Sequence, residues 1–176
     1  MGRGDAMRHF LIGLVLGGAI TAADTALAQA EGCFGSGEPL FHCRMEGSGK
    51  ALDLCLQRDV VVYSFGPPGR AAELLLARRV EEVFHLPWNG VGSSIYEELG
   101  VGNGDVEYTV WSAIDRIAAG EPEVAGGVRV TRGDQTLAEL RCAEGSTIVR
   151  DFYSVFEAKE AKGQCWDSGS FSWAPC

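Results

Sequence analysis

The chain has 176 residues and a formal net charge of −9 at pH 7, and 46% of its residues are hydrophobic. Its length suits a single domain with one hydrophobic core. The negative charge argues against binding to nucleic acid or anionic lipid, because both would repel it, and would attract a cationic protein instead.

The first 30 residues match the pattern of a secretory signal peptide. Arg3 and Arg8 precede a short apolar run at residues 10–20, and residues 28–30 read Ala-Gln-Ala, a typical cleavage site. The apolar run is too short to span a membrane, which takes roughly 20 residues. We therefore predict a periplasmic or secreted protein, without an integral membrane segment, whose mature domain comprises residues 31–176.

Alternating apolar and polar residues predict a β-hairpin over residues 41–56, with a two-residue turn at residues 48–49. In this register Phe41 lies opposite Leu56, and the apolar side chains of both strands share one face. A slip of one residue would place leucines opposite charged side chains, so burial of the apolar face selects this register.

Further short segments, rich in β-branched and aromatic residues and separated by glycine-rich turns, follow along the chain. This pattern predicts a mainly β fold, an antiparallel β-sandwich or barrel of about eight strands. Residues 59–65 are apolar on both faces and are therefore predicted to form a central strand. The remaining predicted strands are residues 73–78, 80–86, 94–99, 105–116, 128–130 and 138–142. In the last pair, a three-residue loop at residues 133–135 places Val130 opposite Ala138.

The pattern changes near the C-terminus. Apolar residues recur near helical spacing between residues 148 and 156, and Ser146 or Thr147 is a candidate N-cap. We therefore predict one C-terminal helix that ends near Gly163, with a strand over residues 148–156 as the alternative. A tail with two tryptophans follows the helix.

An even number of cysteines in an exported chain indicates disulfides, and the lack of a C-x-x-C spacing argues against zinc or thiol exchange. The six cysteines are Cys33, Cys43, Cys55, Cys142, Cys165 and Cys176. The predicted hairpins point Cys43 and Cys142 into the core, so we expect these two to pair. A bridge between Cys43 and Cys55 is disfavoured, because Cys55 points to the opposite face and bridged Cβ atoms must lie roughly 4 Å apart. The remaining cysteines are expected to tie both termini to the body.

The chain contains no recognisable catalytic motif. Residues 47–50 lack the first glycine and the Ser or Thr of a P-loop, and no G-x-S-x-G elbow is present. Adjacent acids such as Glu97 and Glu98 point to opposite faces of a strand and cannot share a substrate. His42 and His85 have no partner at metal-ligand spacing and are predicted to be surface or packing residues. We therefore predict a protein without catalytic residues, cofactor or metal ion.

A glycine-rich loop over residues 88–96 combines hydroxyl, amide and aromatic side chains. This mixture is typical of recognition surfaces, where aromatic rings provide contact area and short polar side chains provide adaptable hydrogen bonds. The alternative is an ordinary connection whose aromatic rings lie in the core. The outer face of the 105–116 strand adds one tryptophan as a second candidate. The alternative is that the C-terminal helix covers this side chain. The candidate binding residues are Trp88, Asn89, Ser93, Ser94, Tyr96 and Trp111.

Two resemblances add to this interpretation. The chain resembles a family of small exported bacterial β proteins of unknown function at residues 41–43, 54–55, 63–66, 108–111 and 126–130. That resemblance implies no activity. Residues 92–96, Gly-Ser-Ser-Ile-Tyr, are similar to the Ser/Gly-rich loop that periplasmic lysozyme inhibitors insert into the lysozyme cleft. The local resemblance implies such a contact for Ser93 and Tyr96, although no glycine follows the serine.

Three hypotheses about function follow from the sequence. The first is a non-catalytic binding protein with a cationic target, such as a lysozyme-inhibitor-like module. The second is a protein that holds a small apolar molecule in its interior or has a structural role in the envelope. The third is a hydrolase whose carboxylate pair or His–Ser pair comes together only in the folded chain.

Overall fold

The structure is a computed structural model that describes Met1, Cys33 and residues 37–120, 122, 124–147 and 149–176. Apart from Met1, the predicted signal peptide and its cleavage site lie outside the described residues. None of the described helices is long and apolar enough to cross a membrane.

The described residues form twelve β-strands, one 3₁₀ turn and one α-helix. The first strands are β1 (Glu38–Arg44), β2 (Ala51–Gln57), β3 (Val60–Gly66), β4 (Leu74–Arg79) and, after the 3₁₀ turn Val80–Glu82, β5 (Phe84–Leu86). The middle strands are β6 (Ser94–Asn103), β7 (Val106–Asp115), β8 (Val124–Arg132) and β9 (Gln135–Arg141). The C-terminal elements are β10 (Val149–Arg150), α1 (Tyr153–Ala161), β11 (Gln164–Asp167) and β12 (Ser172–Pro175).

These strands form two five-stranded sheets and one hairpin, and every strand pair is antiparallel. Sheet 1 has the order β10-β1-β2-β3-β4, and sheet 2 has the order β5-β6-β7-β8-β9. Within the described part of the chain, strands β11 and β12 pair with each other and with no other strand. The predicted mainly β, antiparallel fold with a C-terminal helix is confirmed. The sheets do not close into a barrel, and the described strands outnumber the eight that we expected.

The core lies between the inner faces of the two sheets. Phe41 and Tyr63 from sheet 1 and Leu99 and Val110 from sheet 2 are buried in one hydrophobic cluster. The rings of Tyr63 and Tyr108 meet across the sheets, with centroids 5.4 Å apart. Burial of these apolar faces is the main favourable term for the fold.

The first hairpin forms with a register two residues away from the predicted one. Phe41 lies opposite Leu54 instead of Leu56. The turn has four residues, 46–49, rather than the two that we predicted at residues 48–49. Because side chains alternate with a period of two, this shift leaves every side chain on its predicted face.

The strand predicted over residues 80–86 is wrong in its first half. Val80 and Val83 are buried three residues apart, a spacing that suits a tight turn better than a strand. The Glu82 carboxylate accepts a hydrogen bond from the Arg79 backbone N–H at 3.1 Å and so stabilises the 3₁₀ turn. In the hairpin of β8 and β9, Val130 does lie opposite Ala138, but an irregularity after Val130 shortens the predicted loop.

The C-terminal helix is present but begins at Tyr153, later than predicted. Residues 149 and 150 instead pair with β1 as the edge strand β10. Ser146 is not a helix cap, because its hydroxyl accepts from the Arg44 backbone N–H and contacts the Ala143 carbonyl at 2.6 Å. The helix ends as expected before Gly163, whose φ of +78° favours glycine.

Three disulfides pair all six cysteines, which indicates an oxidising, non-cytoplasmic compartment. The expected bridge between Cys43 and Cys142 is present and joins β1 of sheet 1 to the end of β9 in sheet 2. Cys165 and Cys176 bond to each other across the β11–β12 hairpin, so the expectation that they tie the tail to the body is wrong. The hairpin brings its two ends together and therefore satisfies both cysteines locally.

The length of chain that each bridge closes leads to a prediction about stability. Cys43 and Cys142 are 99 residues apart, whereas Cys165 and Cys176 are 11 residues apart. Replacing both Cys43 and Cys142 with alanine should lower the free energy of unfolding by roughly 4–5 kcal/mol, against about 3 kcal/mol for Cys165 and Cys176. The reason is that the unfolded chain gains more conformational entropy when the bridge that is removed had closed a longer loop. Urea unfolding of both variants measures the difference, and equal losses would contradict the prediction.

Candidate binding sites

The predicted recognition loop connects β5 to β6, and we refer to residues 87–93 as the β5–β6 loop. The Trp88 Nε1–H donates to the Val91 carbonyl at 3.3 Å, and the Val91 N–H donates to Asn89 Oδ1 at 3.1 Å. Arg116, which follows β7, donates to the Gly92 carbonyl at 3.1 Å, and its guanidinium lies 4.9 Å from the Trp88 ring centroid. These contacts hold the loop in one conformation.

The β5–β6 loop directs its small polar and apolar side chains to solvent. Asn89 and Ser93 are exposed, and Val91 is 67% exposed. Ile117, directly after the arginine that holds the loop, is 76% exposed. Trp88 is half-buried beneath Arg116, so it supports the loop without belonging to the hydrophobic core.

Tyr96 lies on the outer face of sheet 2 and not in the loop. Its hydroxyl donates to Glu98 Oε1 at 2.5 Å, and the Arg129 guanidinium lies 2.9 Å from the same oxygen. Burial, with the adjacent Glu98 carboxylate, raises the pKa of Tyr96 to about 12, so the phenol stays a donor at neutral pH. Ser94, at the start of β6, is half-buried. The structure therefore separates Tyr96 from the exposed Ser93 to which sequence proximity linked it.

Trp111 is also on the outer face of sheet 2, opposite Glu98, but it is only 9% exposed. The Arg141 guanidinium, from the end of β9, lies 5.8 Å from its ring centroid. Gly127 on β8 leaves room for the indole, since a Cβ there would lie 3.1 Å from Trp111 Nε1. The predicted outward direction of Trp111 is confirmed, but Arg141 and the neighbouring strands leave little of its ring exposed, and its role in binding stays a prediction.

His42 is a buried packing residue with a charged partner. Its Nδ1 lies 2.5 Å from Asp53 Oδ1, and both residues are at most 5% exposed. The two residues are direct cross-strand neighbours on the face of sheet 1 turned away from Phe41. Ser64 lies on the other side of Asp53. A Ser-His-Asp triad needs the histidine in the middle, so this row does not have the order for acyl transfer.

His85 is the second buried histidine, and it lies in an aromatic environment. Its ring stacks on Trp173 with centroids 6.0 Å apart, and Phe152 and Phe156 approach it edge-on. Among the described residues, neither ring nitrogen has a hydrogen-bond partner. Burial, with the nearby Lys159 charge, lowers the pKa of His85 to about 3, so the imidazole is neutral at pH 7.

Lys159 lies beside this histidine with its side chain buried. Its Nζ donates to Gln164 Oε1 at 3.2 Å and lies 5.2 Å from the Trp173 ring centroid. Burial lowers the pKa of Lys159 to about 8, against the opposing effect of the Glu81 carboxylate. The Trp173 Nε1–H donates to the His85 backbone carbonyl at 2.7 Å. These contacts attach the β11–β12 hairpin to β5 and α1.

Five aromatic side chains extend from this attachment point to the surface, and we call them the aromatic row. Successive ring centroids are 6.2, 5.0, 5.6 and 6.5 Å apart. In order, the rings belong to Tyr153, Phe156, Trp173, Trp166 and Phe171. The two end rings are the most open, with Tyr153 62% and Phe171 57% exposed.

The sequence interpretation missed the aromatic row because it treated the tail as an irregular segment. A usable signal was present in residues 165–176. Cysteine and tryptophan at 165 and 166 mirror tryptophan and cysteine at 173 and 176 around a Ser-Gly-Ser turn. That symmetry predicts a disulfide-closed hairpin with both indoles on one face, and Trp166 does lie opposite Trp173.

Comparison of the chain with protein-family models, with curated proteins and with solved structures found no match. The two resemblances therefore stay predictions. Among the described residues, no group of three or more His, Cys, Asp or Glu side chains is placed to hold a metal ion.

The depressed pKa of His85 predicts how stability depends on pH. Below pH 6.5 His85 becomes protonated in the unfolded chain, whereas in the folded chain it stays neutral down to about pH 3. The free energy of unfolding therefore falls on acidification. His85→Phe should remove up to about 1.4 kcal/mol per pH unit of this dependence between pH 6.5 and 5, since that is the value of one pKa unit.

Urea unfolding of the wild type and His85→Phe at several pH values measures this slope. The carboxylates are the same in both proteins, so the difference between their slopes isolates the imidazole. At pH 7 the variant should be at least as stable, because it removes two buried nitrogens without partners. Identical slopes would contradict the prediction, because they would show that the folded and unfolded chains protonate His85 over the same pH range.

Proposed function

We propose that this protein is an exported, non-catalytic binding protein that recognises a cationic protein through its β5–β6 loop. The observation that carries the proposal is the internal order of this loop. Arg116 and the loop's own hydrogen bonds fix the backbone while Asn89, Val91 and Ser93 face solvent. A preformed loop loses little conformational entropy on binding, which favours affinity.

The charge of the chain supports a cationic partner. The predicted signal segment has equal numbers of acidic and basic residues, so the mature chain keeps the whole net charge of −9. Complementary charge speeds association and discriminates against anionic partners. The local resemblance to lysozyme inhibitors makes a cationic lysozyme the first target to test. In this chain the contact residues would be those of the β5–β6 loop, because Tyr96 is bound to Glu98.

The two alternative functions have less support. A small apolar ligand would need space between the sheets, but Phe41, Tyr63, Leu99 and Val110 fill that region with almost no exposed area. A hydrolase with a serine nucleophile would need that serine next to a histidine, whereas Asp53 lies between His42 and Ser64 on sheet 1.

A panel of cationic lysozymes tests the proposal. We expect the purified protein to inhibit at least one of them and to form a complex whose affinity falls as salt is raised. Val91→Ser should weaken that complex on the order of tenfold, because a central apolar contact would be lost. Inhibition assays and calorimetry give both quantities.

Leu75→Ser is the matched control, since Leu75 is 55% exposed on the edge strand β4 and lies outside the loop. Arg116→Ala is a second variant, which leaves the exposed side chains in place but removes the contacts to Gly92 and Trp88. It should also weaken the complex. Absence of inhibition and of any complex at low salt would refute the proposal.

A further inference from the structure

The aromatic row does not take part in the proposed protein contact, and it has the features of a second binding site. Its two end rings, Tyr153 and Phe171, are more than half exposed and are joined by three partly buried rings, and contiguous apolar patches of this kind mark interaction surfaces. The row is also held firmly. Its hairpin is closed by the Cys165–Cys176 bridge and attached through Trp173 to the His85 carbonyl.

We infer that the aromatic row binds the pyranose rings of a neutral glycan chain. Aromatic faces carry partial negative charge, and the C–H groups on the flat face of a sugar carry partial positive charge, so the two stack. The planes of Tyr153 and Phe156 are within 4° of parallel, whereas the following ring pairs are tilted by 68°, 52° and 70°, so the rings would contact separate sugar residues and not one flat face. The ring-to-ring steps of 5.0–6.5 Å are comparable to the length of one sugar residue.

Hydrogen-bonding groups border the row, as a sugar ligand requires. Beside Phe171, the Ser170 hydroxyl lies 2.7 Å from an Asp167 oxygen and 2.8 Å from the Ser172 hydroxyl. All three side chains are exposed at the hairpin turn. Hydroxyls and a carboxylate at the rim of an aromatic surface can exchange hydrogen bonds with sugar hydroxyls, which act as both donors and acceptors.

The surrounding charge selects against other ligands that bind aromatic surfaces. Asp167 lies in the hairpin of the row, the exposed Glu157 and Glu160 follow Tyr153 and Phe156 by four residues and so neighbour them on the surface of α1, and the chain carries a net charge of −9. Nucleic acid and anionic lipid would be repelled. The buried Lys159 ammonium already occupies a position over the Trp173 ring, so a cationic partner would meet a like charge there. A neutral ligand avoids both conflicts.

The backbone of Phe171 is an independent observation that points to this ring. Its φ of +51° lies in the left-handed region, where a bulky residue is strained and glycine or asparagine is preferred. Strained residues persist mainly at functional sites. Here the strain places an aromatic ring, 57% exposed, at the end of the row. Selection for stability alone would favour a smaller residue at this turn.

Binding to insoluble chitin and cellulose tests the inference, together with titration by soluble chito- and cello-hexasaccharides. Trp166 and Trp173 lie in the row, so binding should change the tryptophan fluorescence. We expect saturable binding to at least one neutral glycan. Tyr153→Ala should weaken it about tenfold, as the loss of one stacking ring does for other flat ligands.

Phe171→Asn separates function from stability. It should weaken glycan binding by a similar factor while leaving the urea midpoint unchanged or higher, since asparagine tolerates the left-handed conformation. Val91→Ser and Leu75→Ser, which lie outside the row, should bind glycan like the wild type. A lysozyme complex that persists in Tyr153→Ala would show that the two sites are independent.

Several outcomes would overturn the inference. One is the absence of binding to all of these glycans. Another is binding that Tyr153→Ala and Phe171→Asn leave intact. A third is preferential binding of a cationic peptide or of anionic vesicles to the same row, because either would identify a ligand of different chemistry.

Discussion

The two sheets pack face to face at one place where side chains, backbone and a covalent bond all act together. Cys43 points inward beside Phe41 and bonds to Cys142, while Met45 forms a backbone bridge to the same cysteine. Because successive side chains of a strand point to opposite faces, the inward positions of Cys43 and Cys142 fix which face of each sheet is the inner one. The outer face of sheet 2, with Tyr96 and the covered Trp111, follows directly from it.

The C-terminal elements depend on this packing without a covalent link of their own to the sheets. Phe152 and Val155 bury one side of α1 in the common core, and the hairpin then stacks on His85. That contact requires a neutral imidazole, because a charged ring without hydrogen bonds would be costly there. The low pKa of His85 is therefore the electrostatic consequence of using a histidine as an aromatic packing residue.

Alternation in the sequence predicted which side chains face the core, but it could not distinguish registers that differ by two residues. The shift at Phe41 therefore became visible only with the turn geometry at residues 46–49. Short elements were harder to predict, because residues 149–150 form a strand by pairing with β1, and the turn at residues 80–82 is held by the Asp59 carbonyl as well as by Glu82. Composition did identify the β5–β6 loop. The direction of Tyr96 and the burial of Trp111 depend on Glu98, Arg129 and Arg141, which lie far away in sequence from one or both rings.

Strand β5 connects the two candidate surfaces. It has three residues and, among the described strands, pairs with β6 alone, while its His85 carbonyl accepts a hydrogen bond from the Trp173 indole N–H. The β5–β6 loop begins two residues after His85, and Trp88 follows at the third position. A ligand that moves Trp173 therefore acts on an edge strand with few other constraints. Because so short an edge strand is weakly held, the order of the loop rests on its own hydrogen bonds and on Arg116, which directly follows β7. Strand β5 thus contacts the aromatic row and also leads into the β5–β6 loop, and Arg116 stabilises the loop conformation independently of the contact between β5 and Trp173.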